Sequence, residues 1–113
     1  MYVYAIASDR FVKFGISVNP KRRLAGMQTS CPLDLELVGF FEGDEALEKR
    51  IHKKLRRFRV RGEWFKVGET TLNFMSAFYF DEPEVLDRLL DQHILPHREE
   101  AEQDSYPLFN GWT

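Results

Sequence analysis

The chain has 113 residues, 43% of them hydrophobic and 14% aromatic, with ten phenylalanines; this suits one domain with a modest Phe-rich core and excludes a disordered chain or two full domains. No apolar run approaches the roughly 20 residues of a membrane helix, the start Met1-Tyr2-Val3-Tyr4 lacks a signal-peptide leader, and the single Cys31 has no disulfide partner and no metal-ligand spacing, so a cytoplasmic protein is expected. The net charge of −2 hides an asymmetry: residues 1–67 carry 14 Lys and Arg against 8 Asp and Glu, and residues 68–113 carry 2 against 10, which sets a basic part against an acidic one.

In chain order, residues 2–7 and 11–17 are short, apolar and rich in aromatic and β-branched types, and Ser8-Asp9-Arg10 between them supplies turn chemistry. A β-hairpin is predicted. Asn19 can cap a helix that starts at Pro20, where the missing N–H costs nothing, and runs to about residue 27. Residues 33–42 alternate, with Leu33, Leu35, Leu37 and Gly39 on one side, and predict a third strand. Asp44 caps a second helix whose apolar stripe is Ala46, Leu47, Ile51, Leu55 and Phe58, with Glu48 and His52 one turn apart on a neighbouring face. Residues 62–67 close the series as a short strand or extended segment. The expected class is α+β: a small mixed or antiparallel three-stranded sheet flanked by helices, in the order β-β-α-β-α-β.

Beyond residue 67 the pattern turns helical. Residues 70–79 and 83–94 predict two helices, the second amphipathic through Val85, Leu86, Leu89, Leu90 and Ile94 and ended by Pro96. An acidic connector at 99–104 and an aromatic segment at 106–113 follow. Residues 68–113 are thus expected to form an acidic helical extension and aromatic tail packed on or beside residues 1–67. Its acids Asp81, Glu82, Glu84, Asp87 and Asp91 could compete with a polyanion, or the extension could simply cover an apolar face.

From Lys49 to Arg61 the chain holds eight cations and no acid. Lys49, Lys53, Lys54, Arg56, Arg57, Arg59 and Arg61, with Arg22 on the first helix, are the expected nucleic-acid contacts, since such a run suits a phosphate backbone.

The chain resembles the GIY-YIG nuclease family, in its compact phage and bacterial branch, over about residues 1–67. Tyr2-Val3-Tyr4 stands where that family has Gly-Ile-Tyr, and Lys13-Phe14-Gly15 where it has Tyr-Ile-Gly. Arg23 lies in a segment similar to the family's first helix. Glu48, in Ala46-Leu47-Glu48-Lys49-Arg50-Ile51-His52, stands like its metal-binding glutamate, and Gly62-Glu63-Trp64-Phe65 is a further feature of the branch. Lys13 replaces the family's second tyrosine, and Met27 occupies the place of its usual histidine, leaving His52 as a substitute. The resemblance implies a metal-dependent endonuclease, with Mg²⁺ or Mn²⁺ as cofactor and DNA as partner, RNA being left open.

The chemistry of phosphodiester hydrolysis assigns roles to the same residues. It needs an activated water, an offset for transition-state charge, and stabilisation of the leaving oxygen. Tyr4 would be the general base if neighbouring cations favour its phenolate, and Lys13 would hold or withdraw a proton from the attacking water. Arg23 offers a planar fork to two phosphate oxygens. Glu48 is a hard ligand for Mg²⁺, and His52 would orient a water or relay a proton. Sequence specificity is expected to be low, and the protein monomeric or a small homo-oligomer. Two other functions stay open: a catalytically silent nucleic-acid-binding module, and a phage-type interaction or inhibitor factor.

Overall fold

The computed structural model describes residues 1–92. The segments expected at 99–104 and 106–113, with Ile94 and Pro96, lie outside the described residues. Strand β1 (Tyr2–Ala7) and strand β2 (Phe11–Ser17) form the predicted hairpin in antiparallel register, Tyr4 opposite Gly15 and Ile6 opposite Lys13. Ser8 N–H closes the turn on Phe11 O at 2.9 Å. Helix α1 (Pro20–Thr29) follows at once, its Arg22 N–H bonded to the Asn19 side chain at 3.1 Å. Gln28 near its end ties the chain to the next strand, donating to Leu33 O and accepting from Leu35 N–H, each at 2.8 Å.

Strand β3 (Glu36–Glu42) pairs antiparallel with the other edge of β1. It is shorter than the alternation predicts, and Leu33 lies exposed before it. Ala5 pairs with Gly39 but Ile6 with Leu37, so Val38 is an extra residue that reverses the alternation there. A Cβ on Gly39 would fall 2.2 Å from Phe78 O; only a residue without one admits the later helix this close.

Helix α2 (Glu45–Lys54) is capped by Asp44, whose carboxylate accepts from Ala46 and Leu47 N–H. A 3-10 turn (Arg56–Phe58) leads into strand β4 (Arg59–Arg61), and Gly62, at φ +54°, turns the chain into strand β5 (Trp64–Lys66). The described sheet therefore has five strands, not three, in the order β3-β1-β2-β5-β4, every neighbour antiparallel. Two of the five are three-residue strands, too short for a period-two signal. The class is α+β, with four helices about the sheet.

The core lies on the sheet face that carries Val3, Ala5, Val12 and Phe14. Phe14 meets Phe65 and Phe78 with ring centroids 5.8 and 5.5 Å apart, and Phe78 meets Phe41 at 4.8 Å. Ile51 of α2 and Leu55, the residue that ends it, close the same cluster. Helix α3 (Glu69–Tyr79) adds Phe74 and Phe78, and helix α4 (Pro83–Asp91) adds Leu86 and Leu90. The acidic part thus buries apolar side chains in the same core as the sheet. One of its acids, Asp91, sits 3.4 Å from Arg50 of the basic run.

Candidate active site

Along β1, Tyr4 points to the face opposite Val3 and Ala5. It is fully buried. Its hydroxyl lies across Gly15: a Cβ there would fall 2.5 Å from the Tyr4 oxygen and 2.9 Å from Glu63 Oε1. The glycine that faces the tyrosine across the hairpin is therefore the space its phenol occupies.

A local defect in the sheet brings α2 to the same place. Strand β5 pairs with β2 only as far as Lys13. Beyond it, Phe14 N–H donates to Glu63 O at 3.2 Å, and His52 Nε2 donates to Phe14 O at 2.6 Å. A carbonyl can only accept, so Nε2 carries a proton, and in the neutral ring Nδ1 is then the lone-pair atom. The imidazole also stands edge-on to Phe65, centroids 5.1 Å apart. Where the strand ladder ends, α2 and the β4–β5 turn thus reach the tyrosine. One ligand-type atom each of Glu48, His52 and Glu63 lie within 4.8 Å of one another. Lys13 Nζ lies 3.6 Å from Glu63 Oε1.

Two polar atoms in this cluster are buried with no hydrogen-bond partner among the described residues, Tyr4 Oη and Glu48 Oε2. Burial raises the Tyr4 pKa above its ordinary 10.0; Arg23 opposes this, while Glu63 and Glu48 add to it. The basic surroundings expected to favour a phenolate are thus outweighed by desolvation and two carboxylates, and Tyr4 is a phenol at neutral pH. Burial, then the charge of Glu63, also raises Glu48 above 4.5, with His52 acting against the rise.

All five residues expected to be catalytic bear on this cluster: Lys13, Glu48 and His52 by contact or proximity, and Arg23 by its charge on Tyr4. Arg23 also lines a groove of about 590 Å³ beside α1 with Ser17, Asn19, Arg22 and Met27. The expected nucleic-acid contacts Arg22, Lys49, Lys53, Arg56, Arg57, Arg59 and Arg61 are all exposed. Lys54 differs: its ammonium donates to Gln92 O, and it is half-buried. Sequence reasoning placed Gly15 and Glu63 in segments that carry the resemblance but gave neither a chemical role. For Glu63 a signal exists, because it is the one acid between Glu48 and Glu69 in a stretch otherwise rich in cations.

Among the described residues no helix is long and apolar enough to cross a membrane. Comparison with known proteins found no matching curated protein and no matching solved structure. A family model, the T5orf172 domain, matches residues 1–80. That match corrects the resemblance to the GIY-YIG family: the matching family is a different one, a phage-type domain that is distinct though nuclease-associated.

Proposed function

The chain belongs to the T5orf172 domain family, and from that premise we propose that it is a metal-dependent endonuclease that hydrolyses DNA phosphodiester bonds with little intrinsic sequence specificity. The observation that carries this reading is the convergence of Tyr4, Lys13, Glu48, His52 and Glu63 at the end of the β2–β5 ladder, beside a groove that Arg22 and Arg23 line. Arg23 receives the scissile phosphate through its planar fork. Tyr4 is the proton-transfer group. In its buried place it starts as a phenol, and it becomes a base when Arg23 and a cation beside Glu48 and Glu63 together outweigh the burial that raises it. Lys13, held by Glu63, supplies a second proton site beside it.

Glu48 fits a divalent cation, since one of its oxygens is buried and unpartnered and its carboxylate lies within 4.8 Å of ligand-type atoms of His52 and Glu63. When bound there, Mg²⁺ or Mn²⁺ supplies Lewis-acid polarisation of the phosphate and stabilises the departing 3′ oxygen. The exposed cations of α2, β4 and α1 hold the DNA backbone without reading its sequence. The test is nicking of supercoiled plasmid across a metal series. Divalent-dependent nicking abolished by Glu48→Ala and by Tyr4→Phe is expected. Cleavage that persists in both variants would sink the assignment, and salt-sensitive binding with no cleavage under any metal would make the protein a binding module.

A further inference from the structure

The three groups that meet at the end of the ladder differ in their means of neutralisation. Glu63 has the Lys13 ammonium at 3.6 Å. Glu48 has no ion-pair partner within 4.0 Å among the described residues, and its Oε2 is buried and unbonded. Two carboxylates this close repel when both are charged, and a single ammonium at one end of the pair leaves the other exposed to that repulsion. His52 lies beside the two carboxylates. Its Nε2–H is spent on the Phe14 carbonyl, so in the neutral ring Nδ1 is the lone-pair atom, the arrangement in which metal-binding histidines are usually held. The hydroxyl of the fully buried Tyr4 and Glu63 Oε1 both lie over Gly15, so Tyr4 brings a second unpartnered polar atom beside the cluster.

We infer that Glu48, Glu63 and His52 form one divalent-metal site of two carboxylates and an imidazole, selective for a transition ion such as Mn²⁺ over Mg²⁺. This rests on the nuclease reading for its purpose but not for its existence. Mg²⁺ favours oxygen ligands and keeps its waters, whereas an imidazole among the ligands shifts the preference towards transition metals. Lys13 is the internal competitor. It occupies Glu63 when no cation is present, and a cation at Glu63 releases its ammonium towards the substrate phosphate.

The test is calorimetric titration of the full chain with MnCl₂ and with MgCl₂, without DNA, together with the electron paramagnetic resonance of bound Mn²⁺. One Mn²⁺ per chain is expected, bound at least tenfold more tightly than Mg²⁺. Glu63→Gln and Glu48→Gln should each weaken Mn²⁺ at least tenfold. His52→Ala should erase most of the preference over Mg²⁺, and Lys13→Met should tighten Mn²⁺ several-fold. Circular dichroism checks that each variant folds, and the Lys13→Met result, a gain of affinity, cannot come from misfolding. Glu63→Gln binding Mn²⁺ as the parent does, while Glu48→Gln does not, would overturn the inference and leave the nuclease reading standing. Absence of Mn²⁺ binding by the parent at millimolar concentration would also overturn it. Mn²⁺ binding lost in Glu63→Gln, with no plasmid nicking by the parent, would uphold the metal site and sink the nuclease reading.

Discussion

Glu48 works against the fold that holds it. Its pKa is raised, first by burial and then by Glu63. A group raised in the folded state contributes stability that is fully present below its unfolded value and lost as pH rises through its folded value. Glu48→Gln is therefore expected to raise the thermal midpoint at pH 7 and leave it near the parent's at pH 4, while cleavage is lost at both; melting curves at the two pH values check this. Tyr4 has the same sign at the other end of the scale. Its value is raised from 10.0, so the stability it contributes is present below about pH 10 and fades above it, and Tyr4→Phe should flatten that alkaline decline. Gly15 is a third site where one atom decides. Gly15→Ala places a Cβ 2.5 Å from the Tyr4 oxygen, and because Tyr4 is fully buried the ring has little room to yield. A loss of about 1–3 kcal/mol, the usual range for overpacking, should accompany loss of cleavage with DNA affinity retained. Urea titration and a binding isotherm separate the two effects.

Helix α2 divides its surface among several neighbours in steps of 100°. Ile51 and Leu55 enter the core, Glu48 and His52 face the ladder end, Arg50 and Lys54 turn to α4, and Lys49 and Lys53 are left to solvent. If the last two hold phosphates, replacing both with Ala should reduce the slope of log affinity against log salt by about 2, roughly one unit per contact. The Arg50–Asp91 pair is exposed on both sides and is worth about 0–1 kcal/mol, so Asp91→Ala should leave stability almost unchanged. Elements of this kind were legible wherever local chemistry determined them. The hairpin, the Asn19 and Asp44 caps and the stripe of α2 follow from turn residues, capping side chains and apolar spacing. Of the β4–β5 hairpin, β5 was legible as the closing segment at 62–67, but β4 was not, because Arg59-Val60-Arg61 reads as the tail of a charge run. Neither was the bulge at Val38, which exists only in relation to β1. Tyr4, Lys13, Arg23, Glu48 and His52 were legible as a set by type and order. Glu63 and Gly15 were not, since their roles arise from what lies across the sheet from them.

At the scale of the whole molecule, the sheet and helices α2, α3 and α4 share one apolar cluster from Val3 to Leu90. The acidic helices are therefore part of what keeps the sheet folded, whatever their effect on bound polyanion. Leu90→Ala, at 3% exposure in this core, should cost about 2–5 kcal/mol. It should shift the far-ultraviolet circular dichroism transition and the Trp64 fluorescence transition together, in a Trp112→Phe background, because a single cooperative unit unfolds in one step. Two separate transitions would show that α4 melts apart from the sheet.

The two ends of the sheet, β3 and β4, carry a consequence of another kind. An open strand edge is a template on which a neighbouring chain can add, and short, charged or bulged edges resist this. β4 is three residues long with Arg59 and Arg61 exposed, and β3 has Glu36 and Glu42 exposed at its ends and the bulge at Val38 between them. The arginines that suit a phosphate backbone are thus also guards against fibril growth. If these arginines hold phosphates, an Arg59→Val, Arg61→Val variant would lose nucleic-acid affinity and gain strand-to-strand aggregation through the same two substitutions.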